Sequence, residues 1–158
     1  MQIKVNNREQ KEVDYFKYLG SVLVRDGYCT REIRMRIAIA KEAFNRKMSL
    51  LTSKLNIELR KKLVRCYIWS IAVYGSETWT LRKLEQLYFE SFEMWCWRRM
   101  EKIKWSDKVT NNQVLECIEE KRILLNNILC RKYNWIDLIL RRNCLLHDTI
   151  EGHMTEVK

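Results

Sequence analysis

The sequence predicts a mainly helical α+β fold, on the strength of three observations. Proline is absent from the 158 residues and glycine occurs only four times, so little in the chain interrupts a helix. An apolar fraction of 47% suffices for a packed core. Short β-branched and aromatic runs precede Thr30, and apolar residues recur at helical intervals after it. We therefore expect a short N-terminal antiparallel β-hairpin or three-stranded sheet, followed by roughly four to five helices.

Three runs near the N-terminus have the β-branched and aromatic composition of strands: residues 2–5, 11–16 and 18–24. Asn6-Asn7 and Asp26-Gly27 are turn formers, and the Asp-Gly dipeptide is a strong hairpin signal. Gly20 interrupts the third run, where it permits a bulge or a close backbone approach. The sequence thus predicts tight turns at residues 6–7 and 26–27.

The first helix is predicted from Thr30, which has a suitable side chain for an N-cap and is followed by Glu32 in the first turn. Its apolar stripe has intervals of three and four residues: Ile33, Ile37, Ala40, Phe44, Met48 and Leu51. Basic residues flank the stripe, with Arg34 and Lys41 on one side and Arg36, Lys47 and Lys54 on the other.

A second helix is predicted from Asn56, with Gly75 as its C-terminal stop. Helical spacing defines its apolar stripe as Leu59, Leu63, Cys66, Ser70 and Val73. Four basic side chains are expected on the opposite face: Arg60, Lys61, Lys62 and Arg65. From Cys66 onward the sequence is apolar nearly all round, so we expect the second half of this helix to be buried.

A third helix is predicted over residues 81–101 and is rich in aromatic residues. Such rings stack on bases in proteins that bind single strands, but at helical spacing they are more often core, which is the role we expect. Thr110 and Gln113 fit a capping box before a short helix. A last helix over residues 123–142 places four apolar residues on one side: Leu125, Ile128, Trp135 and Ile139.

The positive charge is concentrated in the first half of the chain. The 30 basic and 20 acidic residues leave a net charge of +10, of which residues 1–75 carry +9. Residues 31–65 alone hold 11 basic and 3 acidic side chains. A basic stripe on folded helices is typical of proteins that contact phosphate backbones. The alternative is a solvated face with an excess of lysine and arginine, since net charge by itself specifies no partner.

The residues that usually carry catalysis do not form a recognisable constellation. The five aspartates include no adjacent pair, so a two-metal site is not expected. No glycine-rich nucleotide loop and no nucleophile motif occurs. Four possible zinc ligands have spacings unlike those of common zinc fingers: Cys130, Cys144, His147 and His153. We therefore expect no catalytic residue, no metal site and no cofactor.

Membrane and secretory classes are also disfavoured. The longest nearly apolar run covers residues 66–74, well short of the roughly 20 residues that span a bilayer. The first ten residues lack the apolar segment of a signal peptide. Six cysteines without a CxxC pair predict reduced thiols. We expect an intracellular protein, nuclear or cytoplasmic, without a membrane partner.

Several separated motifs resemble reverse transcriptases of non-LTR (LINE-type) retrotransposons. FKYLGS at residues 16–21, followed by Asp26-Gly27 and the Ile33 to Phe44 stripe, resembles the end of the palm and the start of the thumb. YGSETW at residues 74–79 is similar to a Y-G-x-E-x-W segment further along these polyproteins. The similarity continues through WSD at 105–107 with NxxVL at 111–115, and through RK at 131–132, WI at 135–136, RR at 141–142 and IEG at 150–152.

The resemblance covers about residues 10–156 and implies an internal fragment. In the family the catalytic aspartates lie in the palm, upstream of the segment that matches residues 18–20. The family's Gly-His after the Trp-Ile pair is replaced here by Asp137-Leu138. The implied organisation is a palm-end hairpin over residues 1–29, a thumb-like helical region over 30–105 and a C-terminal helical extension over 106–158.

The resemblance also implies which residues bind nucleic acid. Tyr18, Leu19 and Gly20 match the hairpin that grips the primer end, and the two basic helices match the thumb, which holds the duplex by its backbone. The expected partner is an RNA or RNA–DNA duplex bound without sequence specificity, with a reverse-transcriptase palm supplied by another chain as a further partner. The basic candidates are Arg31, Arg34, Arg36, Lys41, Lys47, Lys54, Arg60, Lys61, Lys62 and Arg65.

Two other functions remain open at this point. The chain could be a helical protein-interaction module that docks through its aromatic third helix, or a relic fragment without a selected function. Nucleic-acid affinity that falls with salt would favour the first hypothesis. Exposed tryptophan and self-association would favour the interaction module.

We predict that the purified protein extends no primer on an RNA template in the presence of magnesium or manganese. The reason is the missing aspartate cluster, without which no pair of cations can stabilise the transferring phosphoryl group. A primer-extension assay checks this, and metal-dependent synthesis that survives removal of contaminating polymerases would contradict it.

Overall fold

The computed structural model describes residues 4–5, 8–9, 13–142 and 145–152. It confirms the mainly helical α+β fold with an N-terminal antiparallel hairpin. Strand β1 (Lys4–Val5) pairs with β2 (Arg8–Glu9), and β3 (Tyr15–Tyr18) pairs with β4 (Ser21–Val24), each antiparallel. The predicted turn at residues 6–7, and parts of the predicted strands 2–5 and 11–16, lie outside the described residues.

The chain reverses between β3 and β4 at Leu19 and Gly20, which have φ values of +46° and +84°. Two successive positive φ values suit a two-residue hairpin turn, because their twist matches that of the flanking strands. The continuous strand predicted over 18–24 is therefore wrong. The tight turn predicted at Asp26-Gly27 is confirmed, because the Gly27 amide donates to the Val24 carbonyl at 3.0 Å and Asp26 accepts a bond from the Tyr28 amide at 2.9 Å. This turn leads into α1 and does not close a hairpin.

Eight α-helical segments follow within the described part of the chain: α1 (Thr30–Arg46), α2 (Met48–Leu51), α3 (Ile57–Val64), α4 (Ser70–Ala72), α5 (Lys83–Met100), α6 (Asn111–Cys117), α7 (Leu124–Leu140) and α8 (Leu145–Glu151). A π-helical stretch, Arg65–Trp69, joins α3 to α4. Short 3-10 turns occupy Ser76–Thr78 and Trp105–Asp107. None of the described helices is long and apolar enough to cross a bilayer.

Helix α1 has the predicted apolar stripe, and Ile33, Ile37, Ala40 and Phe44 are buried. The predicted cap is wrong, because Thr30 lies inside the helix and Cys29 takes the N-cap position without a side-chain bond. The Thr30 hydroxyl instead donates to a carboxylate oxygen of Glu85 on α5 at 2.5 Å. A tertiary contact has replaced the local one.

A buried ion pair attaches the β3–β4 hairpin to α1. Glu32 is 2% exposed and accepts hydrogen bonds from the Val22 amide and from Arg36, both at 2.7 Å. Arg36 donates a further bond to the Gly20 carbonyl at 2.6 Å. The turn and β4 are therefore fixed by charge-assisted bonds, while most apolar side chains of the hairpin stay exposed.

The segment from α3 to α4 buries a different face from the predicted one. Lys61, Val64, Ile68 and Ala72 are buried, whereas Leu59 and Cys66 are exposed. The predicted stripe is wrong at Leu59, Cys66 and Ser70, because Lys61, which is paired with carboxylates, begins an inner face that continues at intervals of three and four residues. Val73 of the predicted stripe is buried. The predicted start and stop are confirmed: the Asn56 side chain caps α3, and Gly75 has a φ of +74° beyond the helix end.

Helix α5 runs through the middle of the core, as expected for its aromatic residues. Phe89, Phe92 and Trp97 are buried. Trp95 lies edge-on to Phe44 of α1 with ring centres 5.2 Å apart, and Trp97 meets Trp69 in the same way at 5.3 Å. Edge-to-face pairs add roughly 0.5–1.5 kcal/mol each beyond burial. The buried α5 rings therefore hold the helices together, while Tyr88 and Trp95 are only partly buried.

The last helices begin at two kinds of cap. Thr110 and Gln113 form the predicted capping box, with bonds of 2.8 and 3.3 Å between side chains and amides. Helix α7 has no cap of its own, and the buried Glu93 on α5 accepts hydrogen bonds from the amides of Ile123 and Leu124. Burial raises the pKa of Glu93, and these amide bonds oppose that rise.

We predict that Glu85→Gln lowers the free energy of unfolding by about 1–3 kcal/mol at pH 7, because Arg82 and Thr30 lose a charged acceptor. Hydrogen bonds from Arg82, and then from Thr30, lower the pKa of Glu85 from 4.5 to about 2. The native stabilisation is therefore complete above pH 4.5 and is lost as the pH falls toward 2.

Urea unfolding at pH 7, 4 and 3 measures this effect, with the exposed Glu116→Gln as the control. The difference in unfolding free energy between the native protein and Glu85→Gln is expected to decrease as the pH is lowered from 7 to 3. A gap that stays constant would show that the carboxylate charge does not stabilise the fold.

Candidate nucleic-acid interface

The ten basic candidates divide into two groups by what their charged ends contact. Four are held by carboxylates or carbonyls of the fold: Arg36, Arg60, Lys61 and Arg65. The other six have no carboxylate within ion-pair distance among the described residues: Arg31, Arg34, Lys41, Lys47, Lys54 and Lys62.

Lys61 shows most clearly how the first group is used. Its side chain is 2% exposed, and its ammonium lies 2.6 Å from Glu58 and 3.5 Å from Glu120. Arg65 reaches the same Glu120 at 2.5 Å, and Arg60 pairs with Glu101 at 3.0 Å. The prediction that this set forms one solvent-facing row is wrong, because three of its four members join α3 and the adjoining π-helical turn to other parts of the chain.

Most of the second group lies beside aromatic rings. The Arg31 guanidinium lies 3.9 Å from the ring centre of Tyr15, and the Lys47 ammonium lies 4.9 Å from that of Tyr67. A cation above an exposed ring gains roughly 0.5–1 kcal/mol. Lys54 and Lys62 are exposed and lie beside no described ring. The rings restrict where the cations point, which lowers the entropy lost when a polyanion binds.

The clearest arrangement is a strip along the line where α1 and α5 meet. We call it the α1–α5 strip: Arg34, Lys41, Tyr88, Trp95 and Arg99. Arg34 donates to the Tyr88 hydroxyl at 2.6 Å and lies 5.0 Å from its ring centre. Lys41 and Arg99 lie 5.3 and 5.5 Å from the ring centre of Trp95. Cations and rings thus alternate on one face, with Arg34 and Lys41 on the same side as the sequence predicted.

A large pocket opens at the end of this strip, with a volume of about 1050 Å³. Met48, Thr52 and Trp95 line what we call its inner wall, and residues 102–106 and 108–110 line what we call its outer wall. Trp105 on the outer wall is 97% exposed. We call this cavity the Trp105 pocket. Its volume slightly exceeds the range of roughly 300–1,000 Å³ found for ligand sites.

The walls of the Trp105 pocket are basic. Five cations line it, and none of the described lining residues is an aspartate or glutamate: Arg98, Arg99, Lys102, Lys104 and Lys108. Asp107 is nearby but accepts bonds from the Lys104 amide and the Ser106 hydroxyl within its own turn. Arg98 donates to the Val109 carbonyl at 2.6 Å and thereby holds the outer wall.

Counting charge by halves of the chain concealed this pocket. Residues 98–108 contain five basic and two acidic side chains, yet the acidic stretches that follow reduce the second half to nearly zero. A sliding count over about ten residues would have revealed it. The lysines alternate with apolar residues around Trp105, a composition typical of surfaces that combine stacking with phosphate contacts.

The three hairpin candidates occupy the tip of the β3–β4 hairpin. Tyr18 and Leu19 are 57% and 78% exposed, and Gly20 is exposed as well. The Gly20 carbonyl is already bonded to Arg36, so the turn presents mainly the side chains of its neighbours. Helix α1 connects the two surfaces, because its first turns bond the hairpin through Glu32 and its exposed face carries Arg34 of the α1–α5 strip.

Within the described ranges, no three histidine, cysteine, aspartate or glutamate side chains are placed to share a metal ion. Of the zinc ligands considered above, Cys144 and His153 lie outside the described residues. The buried Cys96 has a raised pKa because burial disfavours its thiolate, so it is a poor nucleophile.

No family model, curated protein or solved structure matches this chain. The functional conclusion therefore depends on the geometry of the site and on the sequence motifs.

We predict that Lys61→Glu and Lys62→Glu differ sharply although the residues are adjacent. Lys61→Glu places a third carboxylate against Glu58 and Glu120 and is expected to cost about 3–5 kcal/mol of unfolding free energy. Lys62 is exposed, so its reversal is expected to change stability by less than about 0.5 kcal/mol. Chemical denaturation of both variants measures the difference, and equal losses would show that Lys61 is not a buried structural charge.

Proposed function

We propose that this chain binds the backbone of an RNA or RNA–DNA duplex without sequence specificity, as a non-catalytic, thumb-type fragment of a non-LTR retrotransposon reverse transcriptase. The observation that carries the proposal is the α1–α5 strip, where cations with no carboxylate partner among the described residues alternate with aromatic rings on one face. The sequence motifs supply the family, and the strip supplies the binding surface.

The strip suits phosphates because its cations are two helical turns apart and are held by rings. Arg34 and Lys41 are separated by seven residues, which is about 10.5 Å along an α-helix. Phosphates along one strand and across a groove recur on the scale of several ångströms to about a nanometre, so two such cations can contact separate phosphates. Contacts of this kind position a duplex without reading its bases, which is what a polymerase thumb requires.

A second candidate, the protein-interaction module, is favoured by the exposed tryptophan Trp105 and by a surface other than the expected third helix. The β3–β4 hairpin and the chain just before it expose about half or more of each of several apolar side chains: Val13, Tyr15, Phe16, Tyr18, Leu19 and Leu23. Cross-strand pairing places Phe16, Tyr18 and Leu23 on one face of the hairpin, and an exposed apolar face is typical of a contact with another protein. In the family, the hairpin continues from the palm, so a palm supplied by another chain is the partner we propose for it.

We predict that affinity for an RNA–DNA hybrid falls steeply between about 50 and 200 mM salt, with a log–log slope of roughly −0.9 per contacted phosphate on B-form DNA and a different value on a hybrid. The double variant Arg34→Gln/Lys41→Gln is expected to reduce that slope by the amount due to about two phosphate contacts. It is also expected to weaken binding to unrelated nucleic-acid sequences by the same factor. Fluorescence anisotropy over a salt series measures both effects.

The matched control is Lys121→Gln/Arg142→Gln, which removes two exposed cations outside the strip. Lys121 lies among Glu116, Glu119 and Glu120, where a polyanion is repelled. The control is expected to leave slope and affinity nearly unchanged. Equal losses in the two double variants, or binding that ignores salt, would reject the strip as the interface.

A further inference from the structure

We propose that the Trp105 pocket binds an unpaired nucleotide, with the base stacked on the Trp105 indole and its phosphates on the surrounding lysines. This proposal goes beyond duplex binding to a single-stranded segment, and it rests on the proposed function only for the class of partner. The pocket lies next to the α1–α5 strip, since Trp95 and Arg99 belong to both.

The exposure of Trp105 is the first observation. An indole that is 97% exposed buries almost none of its apolar surface in the fold, although the other described tryptophans are buried or half-buried. Trp105 is the first residue of the short turn Trp105–Asp107. The hydrogen bond from the Lys104 amide to the Asp107 carboxylate fixes the backbone of this turn. A solvent-facing ring on a backbone fixed in this way can serve as a stacking platform, and each stacked base contributes roughly 1–3 kcal/mol.

The charge around the ring is the second, independent observation. Lys102, Lys104 and Lys108 line the pocket, and no carboxylate among the described residues lies within ion-pair distance of them. The C-terminal ends of α1 and α5 lie at the pocket, and the helix dipoles give each end a partial negative charge of roughly half an elementary charge. The five positive charges that line the pocket outweigh these two partial charges. The pocket therefore has a positive field and selects an anionic ligand.

The combination selects between kinds of anion. An acidic peptide would use the lysines but would have no reason to require an exposed flat ring, whereas a nucleotide uses both. A base inside a duplex is already stacked and cannot enter, so the pocket takes a base from a single strand or from the end of a frayed duplex. The strip and the pocket would then hold the two parts of one duplex with a single-stranded extension.

The test measures full-chain binding to a uridine decamer, to a blunt RNA–DNA duplex of the same length, and to that duplex with a single-stranded extension. Trp105→Ala is expected to weaken decamer binding by roughly 5- to 150-fold, while Trp105→Phe, which keeps a stacking face, retains most of it. Quenching of tryptophan fluorescence by the decamer is expected to be strong in the native chain and to be mostly lost in Trp105→Ala, where only the partly buried Trp95 of the pocket remains to report binding. Urea unfolding serves as the folding control, because an exposed ring contributes little to stability.

This experiment distinguishes a failure of the pocket proposal from a failure of the duplex proposal. If only the pocket proposal is wrong, Trp105→Ala binds the decamer and the extended duplex as the native chain does, while Arg34→Gln/Lys41→Gln still weakens the blunt duplex. If only the duplex proposal is wrong, the blunt duplex does not bind but the decamer binds through Trp105. A polyglutamate decamer that binds as tightly as the uridine decamer, with the same loss in Trp105→Ala, would overturn the nucleotide assignment in favour of an acidic peptide.

Discussion

The parallel, in-register packing of α1 and α5 is the constraint on which the rest of the structure depends. Thr30 meets Glu85, Arg34 meets Tyr88 and Lys41 meets Trp95, and the partners in each pair are 54 or 55 positions apart. Two α-helices have the same rise per residue, so a register fixed at one end persists along both. Cations two turns apart on α1 therefore meet rings two turns apart on α5, and the alternating strip follows from the packing.

The Trp105 pocket lies where the register of α1 and α5 continues beyond their C-terminal ends. Met48 and Lys102, again 54 positions apart, both line it, just beyond the ends of α1 at Arg46 and of α5 at Met100. Because the two helices end at the same level, no helix fills the space beyond their ends. The segment 102–110 borders this space, and its one regular element is the short turn Trp105–Asp107. Cations are favoured at helix C-termini, so this position also explains locally why basic residues collect there.

Local signals in the sequence predicted the parts of the fold that local interactions decide. The α1 stripe, the Asn56 cap and the capping box at Thr110 each depend on neighbours within about four residues, and the structure has them. The face of α3 could not be predicted, because burial of Lys61 depends on Glu120, which is 59 positions away. The candidate site was likewise predictable only in part. Helical periodicity was enough to place Arg34 and Lys41 on one side of α1. The contacts of these cations with Tyr88 and Trp95, and the Trp105 pocket, could not be predicted without knowing that α5 packs beside α1.

The cap that Glu93 provides for α7 has a consequence for the order in which the molecule assembles. The first amides of α7 bond to a side chain about thirty positions earlier in the chain, on α5, so the helix start is incomplete until α5 is in place. An ordinary helix end frays on its own, with a low local opening energy. Here we expect the amide hydrogens of Ile123 and Leu124 to exchange when the Glu93 contact between α5 and α7 opens, so that the beginning of α7 is protected together with α5 and fraying is confined to the other end of α7.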